Sequence, residues 1–296
     1  MRELHRGRHV VVRAVLAGGE TYVIKTGPSA AAVARERRWY RSFAAAETGG
    51  EASRFIEEDL DDRALVFAVH PAASDARDYA VTRQRLPADF GAGVARRLAA
   101  LHARDVTDAP GARIAGASTW SADAVQHAAR LVACCTGVQA ALAASALVHG
   151  DVRWENAIVC DGVREPSLID WEDAGLGAPA WDVGCLLASF ASFAIRADAR
   201  FGGAGPAAAA LRAMLRGQTA GAWRAYRASS EPARDPSFLR DAVRCAGVRL
   251  AEAAFAPSAS DLSQPEIVAL AAASLEMLDD PAGAASRWYG LDDPVA

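Results

Sequence analysis

The sequence predicts an α+β chain in two unequal parts: a small antiparallel-sheet part over residues 1–70 and a large, mostly helical part over residues 71–296. Three observations carry that expectation. Before residue 70, β-branched runs alternate with turn residues, so that two hairpins and one helix can be read. After residue 183 the pattern is almost entirely helical. Between them, residues 147–184 hold two short apolar runs, and each delivers a carboxylate where the strand pattern stops, the place at which a scaffold displays chemistry instead of burying it.

In chain order, HVVVRAVL (9–16) and ETYVIK (20–25) read as strands joined by Ala17-Gly18-Gly19, a hairpin signal. Gly27-Pro28-Ser29 starts a helix expected to reach about Glu47 and to stop at Gly49-Gly50. Val33, Glu36, Tyr40 and Phe43 share one face of it, which puts a carboxylate inside an apolar stripe. Glu36 either pairs there with a cation, for which Lys25 is the candidate, or joins Arg35, Arg37 and Arg38 on a solvated face. RFIEED (54–59) and ALVFAV (64–69) read as a second hairpin across residues 60–63, and His70-Pro71 breaks the strand pattern. A helix over 94–103, a loop over 104–120 and a helix over about 121–145 lead into the 147–184 stretch. Helices follow at about 183–197, 206–229, 236–255 and 265–279, punctuated by Gly202-Gly203, Gly205-Pro206 and Pro257.

Composition excludes several classes. With 52% hydrophobic and 23% charged residues the chain is neither disordered nor fibrous. A net charge of -4 without a basic tract argues against nucleic acid as a partner. Five cysteines, odd in number and without CxxC spacing, read as reduced thiols, hence a cytoplasmic protein. The N-terminus lacks an apolar signal core, and no apolar run reaches the ~18 residues of a membrane span, so no membrane partner is expected. Two singletons stand out: the only lysine is Lys25 and the only asparagine is Asn156. A chain that writes every other cation as Arg has kept one compact ammonium, which acts on phosphate as a point charge.

Within 147–184, His149, Gly150 and Asp151 follow the first apolar run, Asn156 comes five residues after Asp151, and Asp170 ends the second run. Phosphoryl transfer asks for one carboxylate to take the proton of the attacking hydroxyl, and for an amide plus a second carboxylate to hold Mg2+ against the triphosphate. Asp151, Asn156 and Asp170 supply that set. The ordered blocks HGDxxxxN (149–156), IDWE (169–172) and G-x-P-x-x-D (177–182) resemble the aminoglycoside phosphotransferase and choline kinase family, small-substrate relatives of protein kinases.

That resemblance implies a two-lobed, protein-kinase-like fold, with a nucleotide-binding small lobe and a large lobe holding the catalytic loop and the acceptor site. It implies ATP and Mg2+ as cofactors, Asp151 as general base, and Asn156 and Asp170 as metal ligands. Lys25 becomes the phosphate anchor braced by Glu36, Val69 and His70 flank the adenine, and His149 and Asp182 support the loop. Arg153 stands where Ser/Thr protein kinases place a lysine on the transferring phosphate. With Trp154 and the ending GAPAWDVG, it narrows the resemblance to the kinase-like proteins of class V lanthipeptide and thioamitide biosynthesis. Those phosphorylate Ser/Thr of a precursor peptide, and a separate lyase eliminates the phosphate. The expected acceptor is thus a hydroxyl on such a peptide or on a small molecule such as an aminoglycoside, with a lyase or other biosynthetic subunit as possible partner. The alternative is a catalytically silent pseudokinase that binds peptide for a partner enzyme. One departure is that only two strands are read up to Lys25, where the family has three and a loop over the triphosphate; Gly7 is the one glycine left for that loop. An upstream start, a minimal nucleotide cover or a partner that completes the small lobe would each account for it.

Overall fold

The computed structural model describes residues 2–6, 10–43, 52–56, 63–105, 109–113, 120, 128–163, 165–255 and 262–292. The turn over 60–62, the helix end at Glu47 with its Gly49-Gly50 stop, the loop glycine Gly7, the helical stretch 121–127 and Pro257 lie outside these residues.

The small lobe is one antiparallel sheet of β1 (Arg2–Arg6), β2 (Val10–Val15), β3 (Thr21–Thr26), β4 (Ser53–Ile56) and β5 (Ala64–Val69), in the order β1-β2-β3-β5-β4. Helix α1 (Ala30–Phe43) lies between β3 and β4 in sequence. Both expected hairpins form. The expectation of two strands up to Lys25 is corrected to three, because β1 pairs with β2. The segment RELHR has no β-branched or aromatic residue, so nothing local marks it as a strand; the free edge of β2 makes it one. The third strand is therefore supplied by this chain. Tyr40 of α1 stacks on Phe55 at 5.1 Å and meets Phe67 edge-on at 4.9 Å, which seals the helix to the sheet.

The large lobe opens with β6 (Ser74–Asp75) and α2 (Ala76–Arg83), an element without clear apolar periodicity that is started by Asp75, whose carboxylate accepts the N–H of Asp78. Helices α3 (Phe90–His102) and α4 (Ala129–Ala141) follow. Then come β7 (Ala146–Val148), β8 (Ala157–Val159), β9 (Ser167–Leu168) and β10 (Gly175–Gly177); β7 pairs with β10, and β6, β8 and β9 form a second small sheet. Helices α5 (Pro179–Phe201), α6 (Pro206–Ser229), α7 (Phe238–Phe255) and α8 (Gln264–Asp279) make the bulk. A short α9 (Pro281–Ala284) and a π-helical turn (Ala285–Tyr289) complete the described chain.

Helix α5 starts four residues before the expected position, since a proline in the first turn loses no hydrogen bond there. Over Pro179–Ala199 it is also long and apolar enough, by length and composition, to cross a membrane, which corrects the sequence reading. Two thirds of that stretch is buried by its neighbours, the pattern of a core helix.

α5 crosses α7 at Gly184, where a Cβ would come within 2.6 Å of the Ala242 carbonyl and 2.9 Å of the Ala246 nitrogen. That close approach sets where α7 runs relative to the 147–184 stretch. Gly184→Ala should therefore cost about 1–3 kcal/mol through overpacking, although alanine is the better helix former. A lowered urea midpoint measures it, and an unchanged or raised midpoint would show that α5 and α7 can part without loss.

Candidate active site

The loop after β7 is held from every side. Asp182, fully buried near the start of α5, accepts the N–H of His149 at 2.7 Å and of Gly150 at 2.9 Å. Trp181 donates its indole N–H to the Gly150 carbonyl at 2.8 Å. His149 is 2.9 Å from the Ile169 carbonyl through Nε2, and its Nδ1 takes the N–H of Asp151 at 3.3 Å, which fixes the Nε2–H tautomer. The imidazole lies 4.5 Å from the Trp171 ring. Gly150 has φ +86°, and a Cβ there would sit 2.7 Å from the Asp173 carbonyl, so only glycine fits. His102 closes the arrangement, with Nε2 3.1 Å from Asp182 and Nδ1 2.7 Å from the Tyr226 hydroxyl.

This clamp presents Asp151 to a cluster of partners. Its Oδ1 lies 2.7 Å from Arg249, its Oδ2 2.8 Å from Arg153, and Asn156 donates to Oδ2 at 3.0 Å and to the Asp151 carbonyl at 2.9 Å. Burial pushes the Asp151 carboxyl up, but Arg153, Arg249, His149 and Asn156 together hold it below the usual carboxylate range. Arg249 was not read from the sequence. It comes from α7, rests on the Trp181 ring at 5.9 Å, and pairs with Glu252 one turn on. The available signal was the one that singled out Glu36: charged residues inside an apolar helical stripe, here Cys245 to Ala251.

A second cluster spans the lobes. Lys25 on β3 bonds to Glu36 of α1 at 2.8 Å and makes a short contact with Asp170. Of the two readings of Glu36, the buried pair with Lys25 is the one seen, at 2% exposure. Asp170 adopts φ +68°, and its N–H is 2.9 Å from the Tyr40 hydroxyl. Burial by itself would lower the Lys25 pKa, but the two carboxylates outweigh it and hold the ammonium well above its ordinary value. Glu36 moves up to about 7, because burial overrides the pull of an ammonium that Asp170 shares.

The oxygen donors for a hard cation are Asn156 and Asp170. Both amide hydrogens of Asn156 go to Asp151, so its Oδ1 accepts no hydrogen bond, and Asp170 Oδ2 likewise has no partner among the described residues. An amide oxygen and a carboxylate oxygen fit Mg2+, which takes one or two protein oxygens and completes its shell with phosphate and water.

Val69 and His70 are not joined to either cluster by any hydrogen bond or ion pair among the described residues. Val69 ends β5, paired with Thr21 and Ser53. The His70 N–H goes to the Ala52 carbonyl at 3.0 Å and its carbonyl takes the Ala73 N–H at 2.9 Å, so both backbone groups are engaged within the chain.

Beside Asp151 opens a cavity of about 360 Å³, walled by the 151–155 loop, α5 and α7, with Arg77 of α2 at its mouth. Four arginines (Arg77, Arg153, Arg196, Arg249) face four carboxylates (Asp151, Glu155, Asp173, Glu252), so the walls sum to no net charge. Arg77 and Glu155 pair with each other at 3.0 Å.

The sequence profile of the phosphotransferase enzyme family matches residues 1–228. Among solved structures, a thermostable mutant of aminoglycoside phosphotransferase APH(4)-Ia is 16% identical, with 95% of this chain and 94% of that chain covered at a TM-score of 0.58. An aminoglycoside phosphotransferase from Alicyclobacillus acidocaldarius is 16% identical, covering 98% and 93% at a TM-score of 0.50. The Plasmodium vivax ethanolamine kinase is 13% identical, covering 92% and 81% at 0.51. At such identities the likeness is one of fold. No curated protein matches the chain in sequence.

Arg249→Met should cost about 2 kcal/mol in urea denaturation, since it leaves Asp151 and Glu252 buried with one charged partner fewer; a change within error would mean that Arg153 alone suffices. Between pH 4.5 and about 7 the folded chain keeps the Glu36 proton that the unfolded chain has released. Stability should accordingly fall as pH rises through that window, and Glu36→Gln should lose this slope. Parallel denaturation curves of the two proteins across the window would count against it.

Proposed function

This chain belongs to the phosphotransferase enzyme family, and from that membership we propose that it moves the γ-phosphoryl group of Mg-ATP to the hydroxyl of a peptide Ser or Thr or of an uncharged small molecule. The observation that carries the reading is Lys25 bonded at once to Glu36 and Asp170, which draws β3, α1 and the end of β9 onto one point. An ammonium held there meets phosphate oxygens, and Asn156 Oδ1 with Asp170 Oδ2 would hold Mg2+, whose contribution is to neutralise the polyphosphate. Asp151 orients the acceptor hydroxyl and receives its proton; a low pKa is no obstacle, because positioning and charge neutralisation supply most of the rate in this chemistry. Arg153, 2.8 Å from Asp151, lends its positive charge to the transferring phosphoryl from there, and Val69 and His70 line the adenine by contact.

The charge-neutral cavity favours a peptide hydroxyl over a polycationic aminoglycoside, for which clustered carboxylates would be needed. This fits the precursor-peptide kinase reading, with a lyase as downstream partner. The five cysteines are free thiols, in keeping with work in the cytoplasm. The silent pseudokinase remains the second reading, favoured by the engaged backbone N–H of His70, which leaves that residue no backbone donor for the adenine edge.

Calorimetric titration with Mg-ATP should give micromolar-range binding, about -8 kcal/mol, weakened by Lys25→Ala and by Asp170→Ala. Wild-type protein that binds no nucleotide would favour the silent reading. With ATP present, mass spectrometry should find one added phosphate on Ser/Thr peptides and none on aminoglycosides; the reverse pattern would overturn the acceptor assignment.

A further inference from the structure

Glu252 lies on α7, past the last residue matched by the family profile, yet it walls the cavity beside Asp151. It is 5% exposed, and its two oxygens are in different situations. Oε2 is taken by Arg249, which also holds Asp151; Oε1 is buried and has no hydrogen-bond partner. A buried carboxylate oxygen without a donor forgoes its hydration and gains nothing in return, an arrangement that a bound donor relieves. Trp154, also in the cavity wall, is 2% exposed, and its indole N–H is likewise buried without a partner. The cavity walls thus contain an unanswered acceptor in Glu252 Oε1 and an unanswered donor in Trp154 Nε1.

Charge decides what kind of donor answers Glu252. Asp151 and Glu252 are balanced by Arg153 and Arg249. An incoming ammonium would leave a buried positive charge uncompensated, whereas an amide N–H or a hydroxyl leaves the balance intact. Arg249 joins the two carboxylates, so a group docked on Glu252 sits beside the hydroxyl that Asp151 orients.

We propose that Glu252 is the specificity-determining residue for the acceptor, its Oε1 receiving a neutral N–H or O–H that the acceptor carries next to the hydroxyl to be phosphorylated. This rests on the phosphotransferase reading given above and narrows its substrate to alcohols with an adjacent neutral donor, either the backbone amide of a Ser/Thr peptide or the second hydroxyl of a diol.

The test compares matched probes by saturation-transfer NMR on the full chain with Mg-ADP. In the peptide arm, N-acetylserine N-methylamide is set against its twin methylated on the seryl nitrogen. In the small-molecule arm, propane-1,2-diol is set against 1-methoxypropan-2-ol. In one arm the donor-bearing probe should bind about tenfold tighter than its methylated twin, and that arm identifies the source. Glu252→Met should erase the difference, and Glu252→Asp, which keeps the charge but shortens the reach, should reduce it. Equal binding of the twins in both arms, no binding of either donor probe, or full discrimination retained by Glu252→Asp overturns the proposal. If Glu252→Met fails to fold, the wild-type and Glu252→Asp comparisons decide alone. Nucleotide titration of the same samples keeps the two readings apart: failure to bind Mg-ADP strikes the phosphotransferase reading, while the twin comparison without nucleotide still reports on Glu252.

Discussion

The structure depends on a carboxylate that touches no substrate. Asp182 has no access to water, and its two oxygens receive the backbone N–H groups of His149 and Gly150 and face the His102 ring. A buried anion is tolerated only when its hydrogen bonds are complete, so removing any donor leaves a costly orphan. Asp182 is therefore a constraint in both directions. It fixes the loop that presents Asp151, and it obliges α3, α5 and the end of β7 to meet where they do. Trp181, next to it, serves the same loop twice, through its N–H to Gly150 and its ring under Arg249.

What the sequence disclosed divides along physical lines. The loop motif was legible because its residues make local demands: glycine at positive φ, Asp151 and Asn156 five residues apart and bonded to one another, Asp170 at a strand end. The Lys25–Glu36 pair was legible as a carboxylate in an apolar stripe with one cation available, though its choice between core and solvent needed the folded chain. α6 was readable to the residue, because proline opens it and its alanine-rich sequence sustains it. β1 was not readable, because five residues without β propensity become a strand only through pairing with β2. Arg249 lies 98 residues from Asp151, and only the packing of α7 on α5 through Gly184 brings them together. Long-range contacts of this kind leave no trace in local spacing.

Asp170 ties the two lobes together both electrically and mechanically. Asp170 contacts Lys25 through its side chain and the Tyr40 hydroxyl through its N–H, while Tyr40 is stacked into the small-lobe core. The strained φ of Asp170 is held by these contacts from both sides.

The neutral lining of the cavity also bears on how an acceptor arrives. Charges that are paired at close range and sum to zero project little field beyond a Debye length of about 10 Å at 0.1 M salt. An acceptor approaching such a mouth is not steered. Its encounter rate changes little with ionic strength. An enzyme of this kind distinguishes its acceptors by how long they stay and not by how fast they come.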